Sequence, residues 1–298
     1  MELIVQPADG TKPILAAIEQ ARETVDIVIF RFDLKPVEKA LEAAVKRGVA
    51  VRALIAHTNS GGDKRLRQLE LRMLDAGVTV TRTADDLTRY HGKLLLVDRS
   101  ELHVYGFNFT GLDVKSRSLG VIVRDRRVVN EALRLFESDV LRQEFEPEIE
   151  GLVVSPENAR EQLATFVKRA KKQLVIWDPK VNDPQMLRLI KQRAKAGVDI
   201  RLLGKVGKLG SDLRVQKLAG DRLHVRAMVR DGETAFVGSQ SLRALELDAR
   251  REVGLIVRDP KIVKQMLDVF DQDWSQTELG MREKKQAEKE AGAAAEVA

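Results

Sequence analysis

The sequence predicts an α/β protein built from two tandem, related lobes, and three observations carry this prediction. Strand-like and helix-like segments alternate along the chain, which is typical of α/β folds. Segments of the first half recur in the second half at a constant spacing of 149 residues. The 298 residues are 44% hydrophobic and 32% charged, a composition that excludes a disordered chain.

The repeat is visible in matched pairs of residues. Pro7 follows an apolar strand-like stretch, as Pro156 does, and Gly48 and Gly197 each separate a helical stretch from a strand. Both pairs lie 149 residues apart, which is half the chain, so we predict an internal duplication with pseudo-twofold packing of its halves. The predicted units are an N-terminal lobe of residues 1–147, a C-terminal lobe of residues 148–276 and a low-complexity tail of residues 277–298, frayed or disordered.

The elements of the first lobe follow from hydrophobic periodicity. Apolar residues alternate or run on in the predicted strands and recur at helical spacing in the predicted helices, two of which stop before a glycine. The strands are predicted at 2–5, 25–30, 49–55, 78–81, 93–98, 102–105 and 119–123, and the helices at 36–47, 63–76 and 126–143.

The second half has the same order of elements in a more compact form. Its Gly197 lies 27 residues before His224, whereas Gly48 lies 43 residues before His91. We therefore expect the second lobe to lack about a strand and a loop at this point. Each lobe is predicted to be a mixed sheet flanked by helices.

Composition narrows the classes of function. The chain has no cysteine, which excludes disulfides, thiolate zinc sites and cysteine nucleophiles. A net charge of +6 and a pI of about 9.4 fit an anionic partner, whereas 4% aromatic content disfavours a base-stacking platform. Without a signal peptide or an apolar run of bilayer length, we expect a cytoplasmic monomer that is at most peripheral to a membrane.

One pattern of polar residues occurs in both halves. A histidine is followed by a cation two positions later and an aspartate seven positions later, and then by a turn of small polar residues. The members are His91, Lys93, Asp98 and Asn108 in the first half, and His224, Arg226, Asp231, Ser239 and Ser241 in the second.

The spacing has a physical meaning. Residues two apart on a strand share one face, so each histidine and its cation can point into the same cleft. Histidine serves as nucleophile or general acid near neutral pH, and a neighbouring Lys or Arg neutralises a phosphate oxygen. Two half-sites brought face to face can therefore place two histidines on opposite sides of one phosphorus.

This duplicated pattern resembles the phospholipase D superfamily, whose signature is HxKxxxxD followed by GSxN. The resemblance covers about residues 1–275. The first copy matches HxKxxxxD fully, whereas in the second copy Arg226 stands for Lys and Ser241 for Asn. The turn Gly238-Ser239 fits the family's GSxN better than Tyr105-Gly106 does. Glu252 stands where the family often has a glutamate, and its counterpart in the first half is Leu119.

The resemblance implies a phosphodiesterase that works through a phosphohistidine, without cofactor or metal. It implies His91 as nucleophile, because its motif is complete, and His224 as general acid. Lys93 and Arg226 would hold the phosphate. The remaining site residues are implied as hydrogen-bond partners of the substrate or of the site: Asn108, Ser239, Ser241 and Glu252, with Asp98 and Asp231 in the surrounding charge network or, alternatively, as turn residues at strand ends.

Three functions stay open at this stage. Hydrolysis or transfer of phospholipids is the family's commonest activity and is therefore the first hypothesis. A nuclease of the same superfamily is favoured by the high pI and opposed by the few aromatic residues. The third alternative is a weakened enzyme that binds phosphorylated or nucleic-acid partners, which Arg226, Leu119 and the shortened second lobe favour.

Other polar residues are expected to have lesser roles. We expect His103 to be structural and His57 to be structural or at the edge of the substrate site. Arg82 and Arg89 are candidates for lining the cleft. The basic run Lys64, Arg65 and Arg67 is expected to be a solvated helix face, with polyanion docking as the alternative.

Overall fold

The computed structural model describes residues 1–58, 63–210 and 213–297. In the first lobe, the strands and helices form where periodicity predicts them, with three short additions at α1, β5 and α4. The elements of this lobe are β1 Glu2–Gln6, α1 Lys12–Gln20, β2 Thr24–Ile29, α2 Lys35–Lys46, β3 Ala50–Ile55, α3 Asp63–Asp75, β4 Thr79–Arg82, β5 Arg89–Tyr90, β6 Leu94–Val97, β7 Glu101–Tyr105, α4 Gly111–Val114, β8 Ser118–Val123 and α5 Arg126–Leu141.

The second lobe repeats this order. Its elements are β9 Leu152–Ser155, α6 Ala159–Lys168, β10 Gln173–Val181, α7 Pro184–Lys195, β11 Asp199–Val206, β12 Arg214–Gln216, β13 Ala227–Arg230, β14 Thr234–Gly238, α8 Ala244–Asp248, β15 Arg250–Val257 and α9 Pro260–Ser275, followed by α10 Glu278–Val297. Across the described residues, none of the helices combines the length and the apolarity needed to cross a bilayer.

Each lobe contains one mixed sheet. The first has the order β1-β8-β7-β6-β2-β3-β4, and the second has the order β12-β11-β10-β13-β14-β15, with β9 also on β15. Parallel pairing joins β2-β3-β4 in the first lobe and β10-β11-β12 in the second, and β5 pairs in parallel with β15 between the lobes. The predicted mixed sheets and the tandem lobes are confirmed.

The segment missing from the second lobe is a helix, so the expected loss of a strand and a loop was wrong. The parallel strand survives, because β12 pairs with β11 as β4 pairs with β3. Where the first lobe has α3, the described residues of the second lobe have one 3₁₀ turn, Lys208–Gly210. Removing a helix from a sheet face leaves the strand order, and hence the position of β13, intact.

Three apolar clusters set the layers of the molecule. In β2, Ile27 packs with α1 and α2 on the outer face, whereas Val28 faces a cluster shared by both lobes. This shared core contains residues of both sheets together with α5 and α9. The third cluster lies between the second sheet and α6 and α7. The shared core fixes the two lobes against each other, so that corresponding strands of the two sheets end near the same interface.

The lobes exchange backbone hydrogen bonds in a reciprocal manner. The N–H of His91 donates to the carbonyl of Arg251 at 2.7 Å, and the N–H of His224 donates to the carbonyl of Arg117 at 2.9 Å. Strand β5 of the first lobe pairs with β15 of the second. Reciprocal contacts of this kind are the mark of twofold packing, so each histidine is held by the opposite lobe.

The predicted tail begins with an ordered contact. Helix α10 packs on the second lobe, where the indole N–H of Trp274 donates to Glu283 at 3.0 Å and the N–H of Leu279 donates to Gln216. Ala298, the last residue of the tail, lies outside the described residues.

Candidate active site

His91 stands directly after β5, where the opposite lobe holds its imidazole. Nδ1 of His91 lies 2.7 Å from a carboxylate oxygen of Glu252, which belongs to β15 and is fully buried. The ring of Phe30 packs edge-on against the imidazole at 4.4 Å between centroids. Because the carboxylate engages Nδ1, Nε2 is the nitrogen that can face a substrate, with the Lys93 ammonium beside it.

Lys93 lies against the same imidazole. Its Nζ is 2.8 Å from Nδ1 and 2.9 Å from Nε2 of His91, and the side chain is buried. Burial lowers the pKa of Lys93 to about 7. Burial and the adjacent Lys93 charge hold the pKa of His91 well below its usual value, so His91 is neutral at pH 7. Burial raises the pKa of Glu252.

His224 has a carboxylate partner of a different kind. Its Nε2 lies 3.1 Å from Asp113, which belongs to α4 of the opposite lobe, and its Nδ1 lies 3.3 Å from the guanidinium of Arg222. Burial lowers the pKa of His224 to about 4. The pKa of Asp113 is held far below its usual value, because its contacts with His224 and Asn108 outweigh burial.

Arg226 completes the second half-site. Its guanidinium donates to the carbonyl of His224 at 3.2 Å and lies 3.8 Å from Glu246 of α8. The charges of Lys93 and Arg226 each lower the pKa of both histidines. An influence of each cation on the histidine of the other lobe means that the two half-sites form one electrostatic cluster.

The polar turns hold the site's carboxylates. Asn108 donates from its backbone and its side-chain amide to Asp113, at 3.0 and 2.6 Å. The backbone N–H of Ser241 donates to Glu246 at 2.7 Å. The hydroxyl of Ser239 hydrogen-bonds to the backbone of Val253 and lowers the pKa of Glu252. The turn residues predicted to bind substrate, and Glu252 itself, are thus part of the framework that positions the histidines.

Asp98 and Asp231 lie elsewhere, which corrects their prediction as site residues. Each follows a strand in a left-handed conformation, with φ of 49° and 56°. The Asp98 carboxylate accepts three backbone N–H bonds from residues 22–24, and the Asp231 carboxylate accepts the same three from residues 171–173. These aspartates fasten the loops that enter β2 and β10.

The remaining predicted residues fall outside the cluster, except for Arg89 at its rim. Buried His103 bonds to Glu101 and Tyr105 within β7, as expected for a structural residue. Arg89 pairs with Arg250 at the rim of the site. The others are exposed or pair locally: His57 is exposed at the end of β3, Arg82 and Arg67 bind Glu70, and Lys64 and Arg65 are exposed on α3.

Sequence reasoning missed Asp113, Glu246 and Arg222. A signal was present, because the two acids stand five residues after Asn108 and Ser241 and are related by the same spacing of 133 residues as the two histidines. Arg222 stands two residues before His224, as Arg89 does before His91. On a strand, this spacing places the arginine on the histidine's face.

Several buried atoms of the cluster have no hydrogen-bond partner within the protein. They are Asn108 Oδ1, Arg226 Nε, Arg250 Nε and Glu252 Oε1. Buried polar atoms are almost always paired, so an accumulation of exceptions at one place is typical of a ligand site. No group of three or more His, Asp or Glu side chains in the described parts of the chain is arranged to hold a metal ion.

Comparison with known proteins agrees with this geometry. The profile of the family described as "Cardiolipin synthase, PLD-like domain" matches residues 14–140 and 163–274, which include both histidine motifs. The chain therefore belongs to this family of the phospholipase D superfamily. Cardiolipin synthase A from Pectobacterium carotovorum subsp. carotovorum (strain PC1) is 24% identical over an alignment that covers 87% of this chain. The chain spans 66% of that relative, just under two thirds of its length.

Two solved structures share the fold. Polyphosphate kinase from Porphyromonas gingivalis has a TM-score of 0.75 at 18% identity, covering 90% of this chain and 46% of that one. Phosphatidylserine synthase from Haemophilus influenzae Rd KW20 has a TM-score of 0.70 at 13% identity, covering 92% and 85%. Their different names illustrate that the two-lobed fold alone does not determine the substrate.

Proposed function

We propose that the protein is a phosphodiesterase or phosphatidyltransferase that acts on phospholipids through a phosphohistidine at His91. The observation that carries this proposal is the pair of buried histidines, each fixed by a carboxylate of the opposite lobe and accompanied by a cation. The family match favours a lipid substrate.

The reaction follows from the roles that the neighbours support. The negative charge of a bound phosphodiester raises the pKa of His224 from its value of about 4 in the free protein, so His224 enters the reaction as an imidazolium paired with the ionised Asp113. Neutral His91, fixed through Nδ1 by Glu252, attacks phosphorus with Nε2, while the bond to the leaving oxygen breaks and the His224 imidazolium gives that oxygen its proton. Lys93 and Arg226 neutralise the non-bridging oxygens. Water, or an acceptor alcohol, then attacks the phosphohistidine and gives its proton to His224 as the P–N bond breaks.

The different carboxylates support this division of roles. A general acid must be an imidazolium before it gives up its proton, and the ionised Asp113 stabilises that cation. A nucleophile must stay neutral, and the close ammonium of Lys93 disfavours protonation of His91. The cytoplasmic location, the monomeric state and the independence of metals and cofactors stay predictions.

Three substrates test the proposal with one set of proteins. Wild type should hydrolyse bis(4-nitrophenyl) phosphate and release headgroup from phosphatidylglycerol vesicles without nicking plasmid DNA. His91→Ala should lose the first two activities, whereas His57→Ala, which removes an exposed histidine outside the cluster, should keep both. Plasmid nicking without lipid turnover would replace the lipid proposal by the nuclease alternative, and no turnover of any substrate would favour the weakened enzyme.

A further inference from the structure

Two exposed leucines stand beside the acids of the active site. Leu112 of α4 precedes Asp113, and Leu245 of α8 precedes Glu246. Leu112 is 60% exposed and Leu245 is 36% exposed, whereas both acids are buried. Each short helix therefore turns its carboxylate toward the cluster and presents its leucine to solvent.

The internal repeat relates these leucines to each other. They lie 133 residues apart, the same spacing that separates His91 from His224 and Asp113 from Glu246. A twofold rotation leaves height along its axis unchanged, so equivalent residues of the two lobes lie at the same level on one face of the molecule. The axis passes between the two histidines, and the leucines therefore flank the site from opposite sides on a single face.

Exposed cations accompany the two leucines. Single exposed leucines are common on soluble proteins and need no explanation alone. Here, Lys115 lies three residues after Leu112 and Arg243 two residues before Leu245, and Arg222 reaches Asp113 beside Leu112. The side chains of Arg222 and Arg243 are 44% and 35% exposed, and Lys115 is exposed. The other charges of the cluster lie buried or nearly buried behind them, and the exposed acids of the same loops and helices are Asp33 and Asp248.

We infer that Leu112 and Leu245 dock the mouth of the active site on an anionic lipid bilayer, with the leucines entering the acyl boundary and the cations facing the headgroups. This docking surface rests on the proposed function, because it delivers a lipid phosphodiester to the histidines. Its chemistry is that of peripheral membrane binding, in which apolar insertion and attraction to anionic lipids act together. Two small leucine tips give weak, reversible binding, which suits an enzyme that must leave the surface.

The test measures vesicle binding in the His91→Ala background, so that no turnover enters the readout. Flotation would use vesicles of phosphatidylcholine, with and without phosphatidylglycerol. We expect binding to the anionic vesicles that weakens with salt, and a loss of about tenfold or more in the partition coefficient for the double variant Leu112→Ser/Leu245→Ser.

Leu71→Ser provides the matched control. Leu71 is 62% exposed and lies more than two turns along α3 from the sheet edge at which that helix begins. This control should bind as its parent does, and the melting temperatures of all variants should agree. Equal binding by the double variant, equal weakening by the control, or binding to plasmid DNA in preference to vesicles would overturn the docking surface. Because hydrolysis of the soluble diester is measured separately in wild type, failure of docking is distinguishable from failure of the proposed chemistry.

Discussion

The two half-sites share a plan and differ in their charges. Both hold a histidine between a backbone carbonyl and a carboxylate of the opposite lobe. In the first half-site, the carboxylate is Glu252, whose pKa is raised, and the cation Lys93 lies against the imidazole. In the second half-site, the carboxylate is Asp113, whose pKa is lowered, and the cation Arg226 binds the backbone carbonyl of His224. The difference teaches that duplication supplied the geometry, whereas individual substitutions separated the tasks of nucleophile and acid.

The largest effect is expected from His91→Ala. Without the nucleophile, no phosphoenzyme can form, and kcat on a soluble phosphodiester should fall by about 10⁴-fold or more. His224→Ala should lose about 10² to 10⁴-fold and recover partly on substrates with better leaving groups, because only proton donation is missing. Rates on a series of aryl phosphodiesters check both; equal losses without rescue would contradict the division of roles.

The carboxylates should also be unequal. Asp113→Asn removes a charge that stabilises the His224 imidazolium, so kcat should fall by about 10 to 100-fold on poor leaving groups. Glu252→Gln keeps an acceptor for Nδ1 of His91 and should cost several-fold less. Steady-state kinetics of the two variants decide this; a larger loss for Glu252→Gln would assign the cationic histidine to the first lobe.

The pH profile tests the buried ammonium. Since burial brings the pKa of Lys93 to about 7, Lys93 is charged below that pH, and kcat/KM should decline above it. Lys93→Arg should lower kcat/KM by about tenfold or more at pH 7, because the planar guanidinium does not fit the ammonium's place, yet it should abolish the alkaline decline, since arginine stays charged. An unchanged alkaline limb in this variant would assign the limb to another group.

The smallest effect on catalysis is expected at Asp98 and Asp231. Asp98→Asn weakens three charge-assisted bonds to backbone N–H groups and should lower the free energy of unfolding by about 1–2 kcal/mol. The KM and the kcat of the folded enzyme should be retained, as for Asp231→Asn. The N–H bonds outweigh burial and keep the pKa of Asp98 below its usual 3.8. Its contribution is therefore present at neutral pH and lost as the pH falls through the folded-state pKa. Denaturant melts at pH 7 and at acid pH check this, and a catalytic loss without a loss of stability would restore these aspartates to the site.

The sequence predicted the local elements better than the contacts between lobes. Strand periodicity and the duplicated motif located both histidines, because each HxKxxxxD or HxRxxxxD motif is a short stretch of consecutive residues. The partner of His91 is 161 residues away in the chain, at Glu252, so spacing within one motif could not reveal it. Counting residues gave the size of the deletion but not the element lost, since α3 and a strand with its loop have similar lengths. Asp98 occupies the motif position whether it serves chemistry or the loop, and only its three N–H partners distinguish the two.

The central claim, that His91 is the nucleophile and His224 the acid, is tested most directly by locating the phosphoryl group. The His224→Ala protein is mixed with bis(4-nitrophenyl) phosphate and quenched in alkali, which preserves phosphohistidine. This variant should accumulate the phosphohistidine, because the substrate's good leaving group departs without an acid, whereas the general base that hydrolysis of the intermediate needs is missing. Peptide mass spectrometry should find the phosphoryl adduct on the peptide that contains His91. An adduct on His224 in the His91→Ala protein, with none on His91 in the His224→Ala protein, would contradict the assignment.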